Sequence, residues 1–356
     1  MHPTIMSQTR FRGYWFVKYK MAATVAMEFG GMNTFQAIRG TYSLRTPLFV
    51  LLALVFLAAT EIVTPAAADD AKLKLLIIDG AANSPHDWAK MTAWYRTQLE
   101  KSGRFTVEVS TAPRWLAPQP QWDGWRPKFK NYQVVLSCYN GRMWPAPVWK
   151  SFLQYVHDGG GVVIVHCGNN SFPGYPEYDK MIGLGWRDDP AYGNRITLDD
   201  AGKVTVYGPK QGPRGFVPGA SHGDVHSYRV VIRDREHPIT QGLPPVFMHA
   251  PDELYDSQRG PAANMHILAT AFSERQTRGS GAHEPLLWWI PYGQGKVVTN
   301  LMGHVDIPAK GKVNAARCAA HTLLVLRACE WVATGKVTLP VPKNFPTEDK
   351  FVELPE

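Results

Sequence analysis

The chain has 356 residues, 45% of them hydrophobic and 19% charged, enough apolar material for one large core or two small ones and too much for a disordered chain. Its formal net charge of +8 owes half to the first 68 residues, where six Lys/Arg face two Asp/Glu, so the remainder carries only +4. No basic run with interleaved aromatics survives in that remainder, which argues against nucleic acid as a partner.

The apolar run Pro47 to Ala59 follows Arg39 and Arg45 and precedes Ala66-Ala67-Ala68, the pattern of a secretory signal with an A-x-A cleavage site. It is shorter than the ~20 apolar residues of a membrane span. The expectation is a leader over 1–68, a mature chain from near Asp69, and a periplasmic or secreted location with no stable membrane span after cleavage. An uncleaved anchor is the alternative, and the start, Met1 or Met32, is left open. Cys318 and Cys329 fall eleven residues apart on one expected helix, about 16 Å along its axis, too far to bridge. Cys138 and Cys167 both end expected strands, and whether they pair is left open.

From Leu73 the pattern is that of a doubly wound α/β sheet. Leu73–Ile78 is near-continuously apolar, as in a strand buried on both faces. A helix is predicted from about Asp87 to Lys101, then strands at Phe105–Val109, Tyr132–Cys138 and Val162–Val165, with a helix over Ala146–Val156. From about 173 to 261 helical periodicity fades, and short β-branched runs (Lys203–Tyr207, Tyr228–Arg233) predict an irregular β-rich insertion. The α/β pattern resumes in Met265–Ala271, Pro285–Ile290 and Lys296–Leu301 and closes with a helix from about Val313 to Thr334. Residues 338–356 read as a Pro-rich tail.

Ligands of such sheets sit at the carboxyl ends of the strands. Those ends carry His86, then Cys138, and then His166-Cys167-Gly168-Asn169-Asn170. A nucleophile elbow needs glycine on both sides of its Cys, and Val165-His166-Cys167-Gly168-Asn169 fails both positions, so Cys167 reads as a small buried residue. Gly-x-Ser-x-Gly, a P-loop and a Gly-x-Gly-x-x-Gly fingerprint are absent. Gly159-Gly160-Gly161 reads as a helix stop.

The densest chemistry lies between Ser221 and Tyr255, which holds His222, His226, His237 and His249 ahead of Asp252-Glu253. Histidine titrates near neutrality and a carboxylate beside it suits general acid/base work. In extended backbone Asp252 and Glu253 point to opposite faces, so one can hold the loop while the other enters the site. His237 reads as a turn residue, and His249 is undecided. His222, His226 and His304 are candidate ligands of a divalent metal, although Gly223 argues against the helical spacing of a zinc site. Trp115, Trp122, Trp125, Trp144 and Trp186 lie in or near these loops, where aromatics suit stacking on sugar rings, although core packing explains most of them.

An ordered set of motifs resembles the ThuA-like (trehalose utilisation) family. It comprises Asn83…His86-Asp87-Trp88, Gly159-Gly160-Gly161-Val-Val-Ile-Val-His166, Gly183-Leu-Gly185-Trp186-Arg187, His222-Gly223, His237-Pro238-Ile239-Thr240-x-Gly242-Leu243-Pro244, Asp252-Glu253-Leu254-Tyr255 and Gly303-His304. The likeness covers about 73–337. It implies a flavodoxin-like, mostly parallel sheet of the class I glutamine-amidotransferase type without the amidotransferase cysteine, and a disaccharide or keto-sugar as substrate class.

The resulting expectation is a carbohydrate-active isomerase, lyase or hydrolase, with a small carbohydrate as its partner and His166, Glu253 and His304 as catalytic groups. His86, Asn169, Asn170, Trp186, His222, His226, Asp252 and Tyr255 would bind the substrate. A non-catalytic periplasmic sugar-binding or scaffolding module and a metal-dependent hydrolase are the alternatives. The cofactor, a divalent metal or none, and homo-oligomerisation stay open.

Overall fold

The computed structural model describes residues 71–80 and 85–356. The expected leader, its cleavage site and the new terminus near Asp69 lie outside the described residues. None of the described helices is long and apolar enough to cross a membrane.

A single sheet of eleven strands organises the chain. Its first half is parallel, in the order β2 (Phe105–Thr111), β1 (Leu73–Asp79), β3 (Val134–Ser137), β4 (Gly161–Val165) and β13 (Gly295–Asn300). This is a flavodoxin-like order, with helices on both faces. Strand β1 shows why the sequence folds so. Leu75 and Ile77 enter one core with Met91, Tyr95 and Leu99 of helix α1 (Trp88–Lys101), while Leu76 and Ile78 enter a second with Val148, Trp149 and Phe152 of the helix over Ala146–His157. A strand apolar at consecutive positions can be buried only between two layers. Asp87 caps α1 by accepting from the Lys90 N–H at 3.0 Å.

The second half of the sheet departs from the expected alternation. Strands β12 (Ala282–Tyr292), β11 (His266–Ser273), β8 (His226–Ile232) and β9 (Val246–Asp252) follow β13 in antiparallel order. Much of the expected insertion is therefore an extension of the main sheet. Its smaller pieces are the hairpin β5–β6 (Arg195–Leu198, Val204–Tyr207) and the two-residue pair β7–β10 (Ser221–His222, Tyr255–Asp256).

Two further boundaries differ. The last helix runs Ala319–Thr334 rather than from Val313, because the residues before it are held elsewhere: Asn314 bridges to Val305, and the Ala315 N–H donates to the His304 carbonyl at 2.8 Å. The expected tail is an ordered strap. Met248 donates to the Thr347 carbonyl at 2.7 Å, Ala319 to Val352 at 2.8 Å and Leu354 to Arg317 at 2.9 Å. All four cysteines are free and buried. Trp122 and Trp144 are packed in the second core, and Trp115 alone of the expected stacking residues is largely exposed.

Candidate active site

Four side chains from separate stretches converge where the parallel strands end. His86 lies just before α1, His166 directly after β4, Glu253 directly after β9, and His304 four residues beyond β13. Their ligand atoms all lie within 4.8 Å of one another. His166 Nε2 stands 3.1 Å from His304 Nδ1, and Glu253 Oε2 lies 3.1 Å from His304 Nδ1 and 3.7 Å from His166 Nε2.

The outer nitrogens of both rings are already committed. His166 Nδ1 meets the Leu301 carbonyl at 2.7 Å, and His304 Nε2 meets Asp306 Oδ1 at 2.9 Å. Donation outward to those oxygens leaves the inner nitrogens as lone pairs in the neutral tautomers. Two imidazole lone pairs and a carboxylate oxygen then face one small volume, an arrangement that repels itself unless a positive charge sits between them.

The electrostatics agree. Burial opposes ionisation of Glu253, yet the hydrogen bonds and charges of His166 and His304 hold its carboxyl far below the ordinary range. Burial likewise opposes a charge on His304, but the Glu253 bond and charge outweigh it and raise the ring to about 9. Burial, with His166 and His304 beside it, pushes His86 well down. The two shifts together favour a charged pair between His304 and Glu253.

His166 sits at φ +40, a left-handed conformation that costs a non-glycine residue energy and that clusters at functional sites. The neighbouring Cys167 is 1% exposed, donates to the Cys138 carbonyl at 3.4 Å and is pushed up to about 12 by burial, so it is no nucleophile at neutral pH. We expect Cys167 of the folded protein to resist iodoacetamide at neutral pH, read by mass spectrometry; rapid alkylation of Cys167 would return it to the site.

Around the cluster, Tyr255 is wholly enclosed, its hydroxyl 3.3 Å from His86 Nε2 and 3.3 Å from the donating Asn170 amide. Asn170 Oδ1 is buried with no hydrogen-bond partner among the described residues. Trp186 meets Tyr255 edge-on at 4.6 Å, and His222, half-buried, stands 3.5 Å from Glu253 Oε1. Three residues expected in the pocket are placed otherwise. Asn169 is fully buried and braces the next loop, donating to the Leu184 carbonyl and accepting from the Trp186 N–H. Asp252 is fully buried, its carboxylate taken up by His249 and by the backbone N–H groups of Glu253, Gly303 and His304. His226 bonds the Asp224 carbonyl and packs on Tyr228, beside a separate cleft with Arg229, Phe272 and Glu348. Of the metal candidates, His304 is in the cluster, His222 touches it through Glu253, and His226 stands apart.

Sequence reasoning missed Asp306. His304-x-Asp306 is a two-residue spacing that puts both side chains on one face of extended backbone, so the signal was present. The Gly303 conformation is also required here: its φ is +104, and a Cβ would lie 2.4 Å from His321 Nε2. Gly303→Ala is expected to cost about 1–3 kcal/mol from backbone strain alone, more with the clash. A melting temperature equal to wild type would contradict that geometry.

Fold and site together define an α/β protein with a flavodoxin-like parallel half-sheet and a cluster of three histidines and one carboxylate at its strand ends. The ThuA (trehalose utilisation) family model matches residues 74–314, and the chain belongs to that family. A ThuA-like protein of Parabacteroides merdae is 37% identical, with 80% of this chain and 98% of that one covered and a TM-score of 0.72. A second, from Bacteroides uniformis, is 18% identical over 77% of this chain and 96% of its own, with a TM-score of 0.47. No curated protein matches the chain.

Proposed function

We propose that this chain is an exported carbohydrate-active enzyme in which His86, His166, Glu253 and His304 hold one divalent cation against a sugar. The observation that carries the reading is the convergence of His166 Nε2, His304 Nδ1 and Glu253 Oε2 at 3.1, 3.1 and 3.7 Å, with both outer ring nitrogens already bonded to oxygen acceptors. Ligands at 2.0–2.2 Å from a common ion stand about 3–3.6 Å apart, close to these separations. A ligating histidine that gives its other nitrogen to a carbonyl or carboxylate is the usual outer arrangement of a metal site. Three imidazoles and one carboxylate suit a first-row divalent ion such as zinc.

A cation bound there would polarise a carbonyl or hydroxyl oxygen of the substrate. The residues around it supply the rest. Asn170 Oδ1 accepts a sugar hydroxyl, and Trp186 and Tyr255 form one wall. Burial raises the Tyr255 hydroxyl well above its ordinary value, so it keeps its proton and transmits hydrogen bonding between Asn170 and His86. His222, partly exposed and within 3.5 Å of Glu253 Oε1, is placed to carry a proton between that carboxylate and solvent.

Support for a non-catalytic sugar module is weaker, because two of the five candidate stacking residues, Trp122 and Trp144, are core residues. Incubation of the protein with 3-keto-disaccharides, with and without added zinc or manganese, tests the enzyme reading. We expect turnover that requires the ion and disappears with chelation; no turnover under any loading, together with sugar binding intact in Glu253→Gln, would favour the binding module instead.

A further inference from the structure

Behind the cluster lies a second group of polar residues with no access to solvent, centred on Asp252. Its carboxylate is 0% exposed and serves four donors. Oδ2 accepts from His249 Nε2 at 2.8 Å and from the Gly303 N–H at 2.7 Å, while Oδ1 accepts from the His304 N–H at 3.1 Å and the Glu253 N–H at 2.8 Å. Two of the four converging residues, Glu253 and His304, thus have their backbone N–H groups tied to one carboxylate. A third is reached indirectly, since the segment that Asp252 pins through Gly303 and His304 begins with the Leu301 carbonyl that orients His166.

The far side of this group is equally enclosed. His249 is 0% exposed and lies against the Tyr228 ring at 5.1 Å, and Gly303 rests on the Tyr95–His321 pair, whose hydroxyl and Nε2 are 2.8 Å apart. None of these groups can touch a ligand. A fully buried carboxylate is costly unless paired, and here the pairing partners are the backbone of the site itself and one histidine.

We propose that Asp252, backed by His249, is the positioning residue of the site: it sets the separation of Glu253, His304 and His166 and thereby the affinity and coordination geometry for the cation. The inference rests on the cation reading given above. Loss of such an outer partner typically lowers metal affinity about 10–100-fold without removing a ligand. The hydrogen bonds are directional, so an amide in place of the carboxylate turns one acceptor into a donor aimed at an N–H.

Cobalt(II) titration followed by visible absorption tests it, because band position and intensity report coordination geometry as well as affinity. The full chain is compared with Asp252→Asn, with the milder His249→Gln in case the first fails to fold, and with Leu268→Ala, a core truncation away from the cluster that lowers stability only. We expect both hub variants to bind cobalt about 10–100-fold more weakly with an altered spectrum, and Leu268→Ala to keep the wild-type affinity and spectrum despite a lower melting temperature. A folded hub variant with wild-type affinity and spectrum overturns this inference and leaves the cation reading standing. A wild-type protein that binds no cobalt overturns the cation reading, and this inference falls with it. An altered spectrum in Leu268→Ala as well would reduce the effect to general destabilisation and also overturn it.

Discussion

On the proposed cation-dependent reading, Glu253→Gln is expected to abolish turnover and to lower cation affinity by more than the about 10–100-fold that follows loss of an outer partner, because it neutralises the one carboxylate of the proposed ligand set. The amide has nearly the same size, so the fold should survive; its circular dichroism should match wild type. The change also removes the charge that raises His304 to about 9, so in the cation-free variant that ring should titrate lower, which proton–nitrogen NMR of the imidazole can follow. An unshifted His304, or unaltered cation binding, would remove Glu253 from the cluster's chemistry.

A second large effect concerns stability and pH in chelator-treated protein. Burial opposes a charge on His249, but the negative charge of a Cys318 thiolate and the Asp252 carboxylate outweigh it and raise the ring to about 10; His304 is raised to about 9. A ring that holds its proton more tightly when folded contributes stability that is complete below the ordinary histidine value of 6.5 and is lost as pH climbs toward 9 and 10. His321 behaves oppositely: burial, with the nearby His249, lowers it to about 3, so below pH 6.5 the unfolded chain takes up a proton that the folded chain refuses. His86 is lowered for the same leading reason. Asp252 adds an acid limb further down. Burial opposes its ionisation, but His249 holds it at about 2, so its contribution is lost as pH falls below its ordinary 3.8.

These terms predict a stability that peaks near pH 6.5 and falls on both sides, by up to about 1.4 kcal/mol per pH unit for each group titrating, with the melting temperature following it. His249→Gln should lower the peak and flatten the alkaline limb. A profile that rises steadily from pH 5 to 9, or an alkaline limb unchanged in that variant, would contradict the charged His249–Asp252 pair.

Much of the parallel half of the sheet is legible in the sequence, because consecutive apolar residues such as Leu75 to Ile78 have only one stable environment. The antiparallel wing is less so. Strand β8 carries Val230 and Ile232 in the core, and nothing local distinguishes a strand that joins the main sheet from one in a separate hairpin. The end of the last helix was readable and its start was not: residues 314 to 318 have helical composition but are held by Val305, His304 and the C-terminal strap.

Within the site, strand-end position was the informative signal for His86, His166 and His304, since the fold delivers those ends to one place. Alternation along extended backbone separated Asp252 from Glu253, but which of the two faces the cluster is a tertiary fact. Proximity in sequence misdirected the reading of Asn169 and His226. Asn169 is drawn inward by the Leu184 and Trp186 backbone, and His226 faces another cleft although it is only four residues from His222. The roles of the Leu301 carbonyl and the Asp252 carboxylate depend on backbone groups that carry no side-chain signature.

The central claim is that His86, His166, Glu253 and His304 form one cation site, and calorimetric titration of chelator-treated protein with zinc tests it most directly. The predicted result is one ion per chain in the wild type and loss of that binding in His166→Ala. No binding to the wild type, or binding of the same stoichiometry and affinity in His166→Ala, would contradict it.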